Sequence, residues 1–226
     1  MTVFSPKCIY AYLLILLYGW AVTSCGDAKR TAYEKVIVEW TGKEIIFPDS
    51  MRLVGGGMIT KPEVDFTIIS YYDSVGCTGC RMKLHLWNEF MKRVDSIRGD
   101  KTVSLIMIAA SKDEIELDYL RTRYSFIYPI IFDPMDEINT INGFPKDSHM
   151  QTILLDKDMC VLTLGNPVSN HNASHLYLSI IRKKHEFIGD VHGRKVYAYD
   201  KVYAYDYVDI KSDSFILTFP NYQQKD

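Results

Sequence analysis

FTIISYYDSVGCTGCRMKLHLW, residues 66–87 of this 226-residue chain, combines a strand pattern, two closely spaced cysteines and a helix pattern. Phe66 to Tyr72 is uncharged and rich in β-branched and aromatic residues, which predicts a central buried strand. From Cys80 to about Ile97, apolar residues recur at helical spacing with Lys and Arg between them, which predicts an amphipathic helix. Cys77 and Cys80 therefore lie where a buried strand passes into a helix.

The segments that follow alternate between strand and helix patterns. Val103 to Ala110 predicts a second buried strand, and Ser111–Glu114 resembles a capping box that opens a helix to about Tyr124. A third strand at 127–132 contains Pro129, which predicts a bend or an edge position. The rest predicts a short helix from Asp133 to about Ile141, strands at 152–155 and 161–164 joined by a tight turn, and a basic helix at 174–186. This order predicts an α/β fold with a mixed sheet and helices on both faces.

The two ends of the chain have other patterns. Residues 36–47 alternate between apolar and polar side chains and predict an N-terminal strand or hairpin, and Gly55–Gly57 then predicts a flexible connection. Near the other end, KVYAYD occurs twice in tandem, at 195–200 and 201–206, and predicts a β-ribbon that packs with the N-terminal strand. We therefore divide the chain into a signal peptide at 1–24, a tether and N-terminal β segment at 25–63, a central domain at 64–186, and a β-rich C-terminal extension at 187–226.

The first 25 residues have the pattern of an export signal. Lys7 precedes an apolar run from Ile9 to Val22, which is shorter than the ~20 residues that a membrane-spanning helix needs. Val22–Cys25 (VTSC) resembles the bacterial lipobox, and this resemblance implies that Cys25 is diacylated and anchors the mature protein to a membrane. The alternative is an ordinary signal peptide cut nearby, with no role for Cys25.

Composition excludes some functions and favours others. The net charge is −2 and no stretch is strongly basic, so nucleic acid is not an expected partner. Of the five cysteines, Cys8 lies in the signal and Cys25 is the proposed lipid site. One close pair and a single further cysteine, Cys160, are too few for a disulfide-stapled scaffold, and the pattern is closer to redox chemistry.

The spacing of Cys77 and Cys80 suits thiol–disulfide exchange. Backbone N–H groups and the dipole at the start of a helix stabilise a thiolate, which predicts Cys77 as the nucleophile. Cys80, one turn later, would resolve the mixed disulfide, and Arg81 would add positive charge nearby.

Residues 64–186 resemble the thioredoxin-like thiol–disulfide oxidoreductases of bacterial envelopes, near the alkyl hydroperoxide reductase and thiol-specific antioxidant proteins. The resemblance rests on the opening stretch, on YPIIFDPMDEI at 128–138 and on TILLDKDMCVL at 152–162. It implies a thioredoxin-like fold, a membrane-anchored oxidoreductase acting on protein disulfides in the cell envelope, and a partner redox protein as electron source. It implies no bound cofactor.

The sequence departs from that family at three positions. Thr78-Gly79 replaces the usual Gly-Pro or Pro-Pro between the cysteines. Met150-Gln151 stands where the family places a cis-proline facing the dithiol, so we assign Met150 and Gln151 to a substrate-facing loop. The buried acid of thioredoxin aligns near Tyr71, and Asp73 is the closest carboxylate.

Three other functions compete for the same residues. Zinc would need Cys160, His85 and His149 to converge on the dithiol, so we expect no metal. A peroxidase would need proline and threonine before Cys77, at positions that hold Ser70 and Ser74. The third alternative is a non-catalytic envelope lipoprotein that binds another protein, with Cys77–Cys80 as a structural disulfide.

Overall fold

The computed structural model describes Tyr33, residues 35–75, 77–99 and 102–182, and the backbone of residues 186–191 and 194–198. The chain divides into two compact units, Met1–Glu39 and Trp40–Asp226, and the fold belongs to the second. The proposed signal, Cys25 and the second KVYAYD copy lie outside the described residues. Among the helices that are described, none has the length and apolar character needed to span a bilayer.

Five strands form the central sheet. They are β3 (Phe66–Tyr72), β4 (Val103–Ala109), β5 (Ile130–Phe132), β6 (Thr152–Asp156) and β7 (Val161–Leu164). Their order is β5-β4-β3-β6-β7, with β3, β4 and β5 parallel and with β6 antiparallel to both β3 and β7. All seven residues of β3 are buried, as expected for the central strand. The sheet confirms the predicted thioredoxin-like fold, and β5 begins directly after Pro129 at an edge, where a missing N–H is tolerated.

Helices cover both faces of the sheet. They are α2 (Thr78–Met82), α3 (Leu84–Ile97), α4 (Glu114–Arg123), α5 (Glu137–Asn142) and α6 (His171–Arg182), with a 3₁₀ turn at Ser148–Met150. Apolar residues of α2, α3, α4 and α6 form one core with Phe66, Ile68 and Tyr72. On the opposite face, the ring of Phe144 lies 4.9 Å from that of Tyr71 and 6.0 Å from that of Trp40. The alternating directions of strand side chains place these two groups on opposite faces.

The predicted helix from Cys80 to Ile97 is wrong in one respect, because it is two helices. Lys83 has φ 47° and ψ 46°, the left-handed conformation, and it ends α2 and begins α3. An L-residue in this conformation carries a steric cost, so a lysine there does not mark the break in the sequence. The short α2 is thereby set off from α3 directly after the cysteines.

The N-terminal β segment begins later than predicted. Residues 35–40 form a helix, α1, and not a strand, and a turn follows at Thr41-Gly42. Strands β1 (Met51–Arg52) and β2 (Met58–Ile59) form a hairpin whose turn holds Gly55–Gly57 with positive φ, so the glycines make a turn and not a flexible connection. The alternation at 36–40 did not show that these residues are helical.

Residues 42–54, which we call the edge strap, pair with both edges of the sheet. Gly42 N donates to Val161 O (2.8 Å), and Val161 N donates to Lys43 O (2.9 Å). At the other edge, Val54 N donates to Ile130 O (2.9 Å), and Leu53 forms a bridge with Ile131. The edge strap thus satisfies backbone groups that an exposed edge would leave open to other chains.

The end of the described chain contains two more differences from the prediction. Helix α6 begins at His171 and not at Ser174, because the Asn170 side chain accepts hydrogen bonds from Asn172 N and Ala173 N. After it, β8 (Glu186–Val191) and β9 (Arg194–Ala198) form an antiparallel hairpin that contains the start of the first KVYAYD copy. The first copy is therefore β as far as Ala198, but it pairs with residues 186–191, and the second copy of the predicted β-ribbon lies outside the described residues.

Candidate functional site

Cys77 and Cys80 form a disulfide at the start of α2, with their Cα atoms 5.3 Å apart. Both residues are exposed. Cys77 is the N-cap of α2, and Cys80 N donates a hydrogen bond to Cys77 Sγ at 3.1 Å. A donor at this position stabilises negative charge on that sulfur once the disulfide is reduced. The pairing of the two cysteines is confirmed.

Asp73 holds the loop between β3 and the cysteines. Its carboxylate accepts hydrogen bonds from Val75 N (3.0 Å) and Arg81 Nη2 (2.7 Å). Its backbone carbonyl accepts from Arg81 Nη2 (2.5 Å) and from the Thr78 hydroxyl (3.3 Å). The positive charge of Arg81 is therefore neutralised by Asp73, which weakens the predicted role of Arg81 as a source of positive charge for the dithiol.

The two residues between the cysteines lie against the protein. Thr78 is buried, and Gly79 faces helix α4. An ideal Cβ on Gly79 would overlap Leu120 Cδ1 and would lie 3.0 Å from Glu116 Oε1. A side chain at position 79 would therefore have to displace the ends of the Leu120 and Glu116 side chains. The sequence did not indicate that Glu116 and Leu120 border the site, because the approach of α4 is set by tertiary packing.

Two buried tyrosines end β3, directly before the loop. Tyr72 donates to Met82 O at 3.4 Å and accepts from Trp87 Nε1 at 3.2 Å, and burial raises the pKa of Tyr72 above its usual value. Tyr71, where the family acid would align, donates to Asp136 Oδ1 at 2.7 Å. Burial is the main cause that raises the pKa of Tyr71, and the hydrogen bond to Asp136 raises it further. Both hydroxyls therefore stay protonated at neutral pH and serve as neutral donors.

Met150 and Gln151 lie where β6 begins, beside the end of β3. Tyr71 N donates to Gln151 O at 2.9 Å, and Gln151 Nε2 donates to Pro145 O at 3.0 Å. Both side chains are buried, with exposed fractions of 6% for Met150 and 4% for Gln151. The glutamine that replaces the family's proline is thus hydrogen-bonded within the fold. That these two residues face a substrate stays a prediction.

The residues that a zinc site would need do not come together. His85 stacks beside Tyr124, with ring centroids 5.5 Å apart, and His149 pairs with Asp147. Cys160 is a half-buried thiol at the β6–β7 turn. Within the described part of the chain, no three His, Cys, Asp or Glu side chains are grouped to hold a metal ion.

Comparisons with known proteins add likenesses of fold. No protein-family model matches the chain, and no curated protein matches it in sequence. A peroxidoxin of Mycobacterium tuberculosis is 16% identical with a TM-score of 0.48, over 63% of this chain and 96% of that chain. The thioredoxin domain of a thiol-disulfide oxidoreductase of Bacteroides vulgatus is 11% identical with a TM-score of 0.46, over 61% of this chain and 97% of that chain.

A third similar structure is the bacterioferritin comigratory protein of Xanthomonas campestris, with 13% identity and a TM-score of 0.44, over 59% of this chain and 89% of that chain. These identities and TM-scores are too low to assign an activity. The chemistry of the site therefore rests on its own geometry.

Proposed function

We propose that this protein is a membrane-anchored thiol–disulfide oxidoreductase that acts on protein disulfides in the cell envelope. One observation carries the proposal: an exposed Cys77–Cys80 disulfide follows a central buried strand, with a backbone N–H directed at Cys77 Sγ. A structural disulfide gains nothing from such a donor, whereas a nucleophilic thiolate does.

The reaction begins from the reduced dithiol. The Cys77 thiolate attacks one sulfur of a substrate disulfide, forms a mixed disulfide and releases the other substrate sulfur as a thiolate. Cys80 then loses its proton and attacks Cys77 Sγ, which releases the second substrate thiolate and re-forms the Cys77–Cys80 disulfide. Two electrons pass to the substrate, and a partner dithiol must return two electrons to the site. Asp73 and Arg81 hold the loop in position throughout these steps.

Substitution of each cysteine tests the proposal. We expect Cys77→Ser to abolish reduction of a model protein disulfide, and Cys80→Ser to accumulate a mixed disulfide that gel electrophoresis detects without reductant. Cys160→Ser is the matched control and should retain full activity, because Cys160 lies at the β6–β7 turn. If the wild-type protein shows no turnover at any redox poise, the proposal that it is an oxidoreductase is refuted.

The reduction potential separates this function from a non-catalytic binding protein. A couple well below about −300 mV is typical of a structural disulfide, and a higher value is typical of a redox-active one. We expect the Cys77–Cys80 couple to equilibrate with a glutathione or dithiothreitol buffer in the redox-active range. A couple that resists reduction throughout would favour the binding protein.

The proposal of a lipid anchor rests on the sequence VTSC at 22–25 and on the short apolar run before it. Two acyl chains on Cys25 would give stable membrane attachment, which one chain does not. We expect the protein expressed in a bacterial host to fractionate with membranes, and Cys25→Ser to move it to the soluble fraction. Mass spectrometry of the mature N-terminus would detect the diacylated cysteine.

A further inference from the structure

The carboxylate of Glu116 lies beside the C-x-x-C turn. In the residues that the structure describes, it forms no hydrogen bond with the loop after β3 or with the two cysteines. An ideal Cβ on Gly79 would lie 3.0 Å from Glu116 Oε1. Adjacent Cα atoms are about 3.8 Å apart, so this oxygen is within roughly 8 Å of the Cα of Cys80. That separation is comparable with the Debye length of about 8–10 Å at ordinary ionic strength, so screening does not remove the effect of the charge on the C-x-x-C turn.

Two of the other acidic groups near α2 form ion pairs, and Asp113 caps α4. Asp73, which follows β3, is paired with Arg81 of α2 itself. On α4, Glu114 is paired with Arg52, and Asp113 accepts the hydrogen bond from Glu116 N. Tyr72 of β3 is buried and neutral, and Lys83, the C-cap of α2, is an exposed cation three residues after Cys80.

Glu116 itself stays unneutralised. Among the described residues, no group forms an ion pair or hydrogen bond with its carboxylate. It lies in the first turn of α4, where the helix dipole favours a negative charge. The charge that α4 brings to the C-x-x-C turn through Glu116 is therefore negative.

We infer that Glu116 is a positioning residue for the redox balance: it opposes the thiolate of the reduced site and biases the Cys77–Cys80 couple toward donating its electrons. The inference rests on the proposed function and sharpens it to a reductase of protein disulfides. The disulfide carries no charge, so the carboxylate destabilises only the reduced, ionised form. As the site donates, the dithiol loses two electrons and two protons, and the substrate disulfide becomes two thiols.

Equilibration with glutathione tests this charge effect. In that reaction the protein disulfide gains two electrons and two protons, and two glutathione thiols become one glutathione disulfide. We expect Glu116→Gln to raise the equilibrium constant for reduction of the protein by about threefold to tenfold above the pH at which the thiolate forms. The ratio of the equilibrium constant of Glu116→Gln to that of the wild type should approach one at lower pH. The ratio should also be smaller in 1 M salt, because the screening length is then about threefold shorter.

The alkylation profile of the reduced protein gives a second readout. We expect the pH midpoint for alkylation of Cys77 by iodoacetamide to fall by about half to one unit in Glu116→Gln. Glu116→Asp retains the charge and should restore the wild-type profile. Glu89→Gln, which removes an exposed carboxylate on α3, should leave both readouts unchanged.

Three results would overturn the inference: equal constants for wild type and Glu116→Gln across pH 6–9, a change independent of pH and salt, or the same change in Glu89→Gln. None of these readouts requires turnover of a protein substrate. An inactive wild-type protein would therefore refute the proposed function while leaving the charge effect of Glu116 to be measured on its own.

Discussion

Gly79 is the residue at which the C-x-x-C turn packs against helix α4. The fold needs glycine here for space, since a Cβ would overlap Leu120 Cδ1. The proteins that this chain resembles often place proline between their cysteines, whereas here a side chain at position 79 would meet Leu120 and Glu116. Substitution of Gly79 should therefore displace the ends of these two side chains.

We predict that Gly79→Ala lowers the free energy of unfolding by up to about 2 kcal/mol, because overpacking costs about 1–3 kcal/mol and alanine regains about 1 kcal/mol as the better helix former in α2. Urea unfolding of the oxidised protein measures the change. In a Leu120→Ala background the same substitution should cost at least about 1 kcal/mol less, because the overlapping atom is gone. Ser74→Ala, an exposed change in the same loop, is the control and should fall within about 0.5 kcal/mol of wild type. Equal costs in both backgrounds would contradict the role of Leu120.

At the scale of elements, the break between α2 and α3 is the main departure from a regular thioredoxin-like helix. Lys83 N-caps α3 without a side-chain hydrogen bond and with φ 47°. Leu86 N still donates to Lys83 O at 2.9 Å, so α3 begins immediately after the left-handed residue. Glycine adopts this conformation without the steric cost that lysine carries.

Glycine at Lys83 should therefore stabilise the protein. We predict that Lys83→Gly raises the free energy of unfolding by about 0.5–1 kcal/mol, after the greater flexibility of glycine in the unfolded chain is subtracted. Lys92→Gly, at an exposed position inside α3, should have the opposite sign and cost about 1 kcal/mol. Denaturant titration of both variants checks the pair. A loss of stability in Lys83→Gly would show that the left-handed conformation carries no steric cost there.

The sequence predicted those elements whose pattern is local. An uncharged β-rich run gave β3, and Pro129 correctly predicted that β5 lies at an edge. The C-x-x-C spacing predicted the Cys77–Cys80 pair. The break at Lys83 could not be predicted, because no glycine or proline marks it. Residues 36–40 were wrongly predicted as part of a strand, since a few alternating residues fit a short helix equally well.

The charges of the site were harder to predict than its cysteines. Arg81 follows Cys80 in sequence and was expected to favour the thiolate, but Asp73 binds it. Glu116 is separated from Cys80 by a helix and a strand, and only the packing of α4 on Gly79 brings it to the site. Electrostatic environment depends on tertiary contacts, so spacing along one sequence does not reveal it.

At the scale of the whole molecule, buried tyrosines link stability to alkaline pH. Burial raises the pKa of both Tyr72 and Tyr177 above 10.0, the ordinary value, and the Tyr177 hydroxyl donates to Thr152 O at 3.1 Å. The unfolded chain therefore loses these protons near pH 10, while the folded chain keeps them to higher pH. The stabilisation is complete below about pH 10 and is lost as the pH rises above it.

We predict that the free energy of unfolding falls as the pH rises above about 10. Each buried tyrosine contributes up to about 1.4 kcal/mol per pH unit to this fall. Tyr177→Phe should cost about 1 kcal/mol at pH 7, from the lost hydrogen bond, and should make the alkaline decline shallower by one tyrosine's share. Urea unfolding at pH 7, 10, 10.5 and 11 measures both effects. An unchanged slope in Tyr177→Phe would mean that its hydroxyl ionises equally in both states.

The edge strap also fixes an order of events during synthesis. Gly42 forms a hydrogen bond with Val161, which is synthesised about 120 residues later. At the usual 5–20 residues per second, the wait is on the order of ten seconds. During that interval the nascent chain can pair β3 with β4 and β5 with the edge strap, but the other edge of β3 stays open until β6 is made. Contact with other unfinished chains is therefore most hazardous just before the last strand emerges.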